Sequence, residues 1–141
     1  MITSLLKLAY AMDIELWTEN GKLKYRAAAG SLTDDLKQQL INSKDGIIRR
    51  LEENIAAKSM QWMIHDFGEM YETQTGPTSE LCIFRNDDQT FTAWRGTWRA
   101  GELQPFSEKT IADNVSFQEV FDRANNYRNW ITNKNKHRKA S

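Results

Sequence analysis

Few side chains in this sequence are of types that do covalent chemistry, and their spacing works against it. Cys82 is the only cysteine, set in the apolar run Leu81-Cys82-Ile83-Phe84, where a free thiol behaves as a small buried hydrophobe. The two histidines, His65 and His137, lie far apart. His65 and Asp66 are adjacent, but neighbours on a helix do not face each other, so the pair is expected at a surface or cap rather than as a dyad. No CxxC, HxxxH or HxxE spacing is present, so neither a metal site nor a cofactor is expected. Gly96-Thr97-Trp98-Arg99-Ala100-Gly101 lacks the lysine and the helix of a phosphate loop. The acid pairs Asp34-Asp35, Glu52-Glu53 and Asp87-Asp88 suit helix ends, exposed faces and a turn. The expectation is a protein without catalytic residues.

Binding chemistry is better represented, at two places. In Trp94-Arg95-Gly96-Thr97-Trp98-Arg99 aromatic residues interleave with cations, as in single-strand nucleic-acid binders, where bases stack and phosphates need countercharge. Lys134, Lys136, Arg138 and Lys139 in the basic tail could add phosphate contacts. Strand alternation, however, puts Trp94 and Trp98 on one face and Arg95 and Arg99 on the other, as in any half-buried strand with a solvated side. Lys plus Arg and Asp plus Glu both count 19, so no overall field draws the protein to nucleic acid or to a membrane surface. Association with nucleic acid, in a replication or mobile-element context, is therefore the second reading.

The first reading rests on Glu15–Ala27. Ile14, Leu16 and Thr18 alternate with Glu15, Trp17 and Glu19 at the period of a strand. Asn20-Gly21 then favours a type I′ turn, which needs positive φ at both central residues. A two-residue loop fixes the register, pairing Glu19 with Lys22, Trp17 with Lys24, Leu16 with Tyr25 and Glu15 with Arg26. One face carries Ile14, Leu16, Leu23 and Tyr25. The other carries Glu15, Trp17, Glu19, Lys22, Lys24 and Arg26, and Trp17 is either an anchor at that surface or part of the core.

An isolated hairpin is marginal in water, so helices must support it. Ile2, Leu5, Leu6, Ala9 and Met12 recur at helical spacing, with Thr3 or Ser4 as the expected cap. After the hairpin, Thr33 caps a helix with Asp34 and Asp35 in its first turn and Leu36, Leu40 and Ile41 along one stripe. Ile47, Ile48, Leu51 and Ile55 mark the next. The helical pattern then continues from Ala56 to about Tyr71, with Trp62, Met63, Phe67 and Met70 near one side. Glu80–Arg85 and Thr90–Trp98 read as two strands, residues 100–114 as irregular chain, and Ser116-Phe117-Gln118-Glu119 as a capping box opening a last helix. The fold class is α+β: a small αββαα docking-type unit at 1–55, a helix-hairpin-helix (αββα) segment at 56–133, and a flexible basic tail at 134–141.

The first unit resembles the TubC-type N-terminal docking domain of nonribosomal peptide and polyketide synthetases. The resemblance lies in Leu5-Leu6-Lys7-Leu8, Ile14-Glu15-Leu16-Trp17, Glu19-Asn20-Gly21-Lys22-Leu23-Lys24-Tyr25-Arg26-Ala27, Gly30-Ser31-Leu32-Thr33, and Lys44 leading into Ile47-Ile48-Arg49-Arg50-Leu51. It implies a non-catalytic adaptor that takes the short, acidic C-terminal tail of a partner protein as a strand added to the hairpin. Some such domains are homodimers, so a dimer is also implied. The implied peptide-binding residues are Lys22, Lys24 and Arg26, with Trp17 and Tyr25 beside them. In synthetases a condensation domain with a paired-histidine motif follows the docking domain. Residues 56–141 are too few for it, and His65 and His137 are unpaired, so the expected context is a standalone protein using the module or a piece of a longer chain. No apolar run approaches the about 20 residues that span a bilayer, and a single cysteine suits a reducing compartment. A cytoplasmic location is expected.

Overall fold

The computed structural model describes residues 1–140, with side chains through Lys136. Both helices and strands are present, and the class is α+β. The chain divides into two compact units, one of residues 1–60 with 66–68, the other of residues 61–65 with the remainder from Glu69.

The first unit contains α1 (Ile2–Ala11), β1 (Glu15–Glu19), β2 (Lys22–Arg26), α2 (Asp34–Asn42) and α3 (Lys44–Ser59). Its core is one cluster of Leu5, Leu6, Ala9, Ile14, Leu36, Leu40 and Ile47, against which Leu16, Leu23, Leu51 and Phe67 pack. β1 and β2 pair in the register that the Asn20-Gly21 turn demands, Trp17 opposite Lys24 and Leu16 opposite Tyr25. Asn20 at φ 54° and Gly21 at φ 75° are the two left-handed residues of that turn. Thr33 caps α2 by accepting a bond from the Leu36 N–H at 3.2 Å.

Two local expectations for this unit are corrected. α1 already begins at Ile2, so neither Thr3 nor Ser4 is its cap. Thr3 instead accepts a 2.7 Å hydrogen bond from the buried Arg50 guanidinium. The helical pattern after Ala56 also stops early, at Ser59. Gln61, Asp66, Phe67 and Gly68 all have positive φ, which no right-handed helix accommodates. Asp66–Gly68 is a single left-handed turn whose Phe67 carbonyl accepts bonds from Asn54 at 3.1 Å and Arg50 at 3.4 Å. Lys7 pairs with Asp66 at 2.8 Å, and Tyr10 meets the Phe67 ring edge-on. A Cβ on Gly68 would fall 2.3 Å from Asn54 Oδ1, so the turn needs glycine for both its φ and its space.

The second unit is a meander of five antiparallel strands followed by a helix, not the helix-hairpin-helix expected from sequence. Its strands are β3 (Met63–His65), β4 (Met70–Gly76), β5 (Ser79–Arg85), β6 (Phe91–Thr97) and β7 (Ser107–Val115), paired in chain order, and α4 spans Phe117–Ala140. Residues 134–140, expected as a flexible tail, continue α4. The Trp62–Tyr71 stretch that mimicked a helical stripe serves β3 and β4, where alternate residues face opposite sides. Tyr71, Leu81, Ile83, Phe91 and Ala93 are buried on one face, together with Val120, Phe121 and Ala124 of α4. The aromatic layer is continuous: Phe121 meets Phe117 at 4.6 Å and both Trp62 and Tyr71 at 5.4 Å between ring centres. The Trp62 indole N–H donates to Asn125 Oδ1 at 2.9 Å. At the start of α4 the Ser116 hydroxyl accepts from the Glu119 N–H at 3.2 Å. No described helix is long and apolar enough to cross a membrane.

Candidate docking and side-chain sites

The hairpin offers a partner two kinds of surface. A two-residue loop makes its flanking pair, Glu19 and Lys22, a hydrogen-bonded one, so Trp17–Lys24 and Glu15–Arg26 are bonded pairs as well. The backbone N–H and C=O groups of Leu16, Thr18, Leu23 and Tyr25 therefore point away from the partner strand. Among the described residues no third strand joins either edge. These are unpaired ladder groups of the kind a peptide strand can complete.

Beside the β2 edge lies an apolar groove of about 140 Å³ between β2 and α2. Leu16, Leu23, Tyr25, Leu32, Leu40 and Ile41 line it, and Lys37 and Lys44 stand at it as cations. A second hollow of about 230 Å³ flanks β1, formed by Leu6, Tyr10, Leu16, Leu51 and Phe67, and its charged member is Glu15. The two grooves thus differ in charge: the one beside β2 carries two lysines, whereas the one beside β1 has a single carboxylate, already paired with Arg26.

Of the peptide-binding residues read from sequence, Tyr25 lines the β2 groove and is 52% exposed. Trp17, 38% exposed, shares the outer face with Lys22, Lys24 and Arg26, all exposed. Arg26 is engaged within the hairpin, its Nε donating to Glu15 Oε2 at 3.0 Å. Sequence reading missed Lys37 and Lys44. Lys37 and Ile41 lie at i and i+4 on one face of α2, whereas Lys44 opens α3 beyond the break at Ser43, where helical spacing does not carry over.

The residues of the nucleic-acid reading do not form one surface. Trp94 and Trp98 meet edge to face at 5.8 Å, closing over Gly96, where a Cβ would lie 2.3 Å from the Trp94 ring. Trp98 donates its indole N–H to the Leu103 carbonyl. Arg95 belongs to the opposite face, bonded to Ser107 Oγ at 3.1 Å with its Nε buried. Arg99 lies over the Phe106 ring and Lys134 over Trp130, while Lys136 is exposed. The Arg138 and Lys139 side chains lie outside the described residues.

The sheet gathers one further group that sequence spacing did not reveal. Glu72 on β4 is directly opposite Cys82 on β5, and Glu80 is two residues before Cys82 on the same face. One carboxylate oxygen of each glutamate and the Cys82 sulfur lie within 4.8 Å of one another. His65 Nε2 is 3.4 Å from Glu72 Oε1. Burial, and then the neighbouring Glu72 carboxylate, raise the Glu80 pKa above its ordinary value. Burial pushes the Cys82 thiol up to about 12, with Glu72 and Glu80 adding to the effect.

The hairpin and its three helices decide the comparison with known families. Residues 2–53 match the TubC N-terminal docking domain. The match ends within α3 and includes both strands and the whole β2–α2 groove. No curated protein and no solved structure matches the chain.

Proposed function

We propose that the docking-domain unit is a non-catalytic adaptor that captures a short acidic peptide of a partner protein as a third strand along β2. The observation that carries this reading is the coincidence, on one side of β2, of an unpaired backbone edge, an apolar groove and two lysines. Strand addition draws affinity from main-chain hydrogen bonds, and selectivity from pockets that take every second side chain. An added strand would meet the outward groups of Leu23 and Tyr25. Its alternate apolar side chains would enter the groove, and its carboxylates would reach Lys37 and Lys44 on one face, Lys22 and Lys24 on the other. The β1 edge is less suited to an acidic strand because no lysine or arginine lines its groove.

The test is a titration of the full chain with acidic C-terminal peptides carrying alternating apolar residues. Tyr25→Pro removes an outward N–H and leaves the β1–β2 ladder donors in place, since proline is tolerated on a strand edge. It is expected to weaken binding by tenfold or more, about 1.4 kcal/mol. Reversing Lys37 and Lys44 to Glu is expected to weaken binding and to flatten its salt dependence. Unchanged affinity in both variants would remove β2 as the site.

A further inference from the structure

We propose that His65, Glu72, Glu80 and Cys82 form a binding site for a divalent transition metal, zinc above all, on the second unit's sheet. Three adjacent strands supply the donors. Register sets Glu72 opposite Cys82, β5 carries Glu80 on the same face, and β3 brings His65 to 3.4 Å from the Glu72 carboxylate. Donors around a tetrahedral zinc at about 2.0–2.3 Å are separated by about 3.3–3.8 Å. The Glu72, Glu80 and Cys82 donor atoms already lie within 4.8 Å of one another. Side-chain rotations would close the difference and carry His65, which stands beside Glu72 outside that set, to the ion.

A second observation points to an ion. Cys82 is only 4% exposed, yet its sulfur faces two carboxylates, because its apolar neighbours Leu81 and Ile83 are directed to the opposite, α4-covered face. A cation between them would offset the crowding of two carboxylates beside a buried thiol. With one, all three groups become ligands. The donor types also choose the metal. Thiolate and imidazole are soft or borderline ligands that suit zinc, whereas calcium and magnesium require sets of oxygen donors. One sulfur, one nitrogen and two carboxylate oxygens complete four-coordination, so the ion would clip β3, β4 and β5 together. Binding requires the thiolate, so the Cys82 proton passes to solvent as the metal–sulfur bond forms.

The experiment uses the untagged full chain, stripped with a chelator and then titrated with Co(II) and with Zn(II). One equivalent of cobalt is expected to bind with a thiolate-to-cobalt charge-transfer band in the near ultraviolet. Zinc is expected to raise the melting temperature. Cys82→Ser is expected to abolish the band, and His65→Ala and Glu80→Gln to weaken binding by about 100-fold or more, beyond the usual effect of altering an outer partner. His65 and Glu80 are only partly buried, so those variants carry the test if Cys82→Ser does not fold. Cobalt bound without the thiolate band, or with equal affinity in His65→Ala and Glu80→Gln, would overturn the site. So would the absence of a zinc-dependent melting shift.

Discussion

The two units solve the problem of an antiparallel sheet in opposite ways. The first has only two strands, so each strand keeps one unpaired backbone edge. The second has five, and three of them are paired on both sides. Its outer strands are also poor templates for another chain: β3 is three residues long, and β7 carries Glu108, Lys109 and Asp113. Binding potential follows from this difference. A sheet too small to satisfy its own edges offers backbone groups to a partner. A larger sheet offers a face on which side chains distant in sequence converge, as His65, Glu72, Glu80 and Cys82 do. On the proposed reading, the lysines along β2 would discourage pairing with another copy while admitting an acidic strand.

The comparison can be challenged first where the larger sheet is held. Phe121 is 2% exposed and touches Trp62, Tyr71 and Phe117. Phe121→Ala is expected to cost about 3–5 kcal/mol in denaturant unfolding followed by tryptophan fluorescence. A loss below about 1 kcal/mol would mean that the aromatic layer is not what fixes α4 to the sheet.

Glycines sharpen the contrast within the smaller unit. Gly21 and Gly68 both have positive φ, but a Cβ at Gly21 meets nothing within 4 Å, whereas at Gly68 it strikes Asn54. Gly21→Ala is expected to cost about 1–2 kcal/mol, the left-handed backbone penalty alone. Gly68→Ala should cost more in the same denaturant-unfolding assay, because Arg50 and Asn54 must also release the Phe67 carbonyl. Equal losses would show that the 66–68 turn yields as freely as an exposed hairpin.

The smallest effect concerns the β5–β6 turn. The Thr90 hydroxyl and backbone N–H both donate to Asp88, the latter at 3.0 Å, and hold its carboxyl below its ordinary pKa of 3.8. A depressed acid stabilises the fold above its unfolded pKa, and that contribution is lost as pH falls through the folded value. Thr90→Val should move the Asp88 titration, followed by NMR, upward toward 3.8. An unmoved midpoint would leave the backbone N–H as the sole cause.

Legibility divided along the same line as the two sheets. In the hairpin, each determinant lies within a few residues of its consequence: Asn20-Gly21 sets the turn, the turn sets the register, and Thr33 starts α2. In the stretch after α3, Trp62, Met63, Phe67 and Met70 fell by chance at helical spacing. The deciding facts were left-handed residues at Gln61, Asp66 and Phe67, none of which is a glycine that would have announced them. The strand β7 was hidden by its polar composition, with only Ile111, Ala112 and Val115 apolar. Lys37 shares a face of α2 with Ile41, but Lys44 lies past the helix break, and only the folded groove brings the two lysines together.

The sequence by itself determined the hairpin, its register, its two faces and the docking-type pattern of residues 2–53. Those depend on turn chemistry and period, which act between near neighbours. Only the tertiary structure decided that β2 borders a cationic apolar groove, and that two glutamates and the lone cysteine come together on one sheet face with a histidine beside them. Both facts join residues from separate elements, and strand pairing and helix packing create such proximity at separations where no local spacing rule operates.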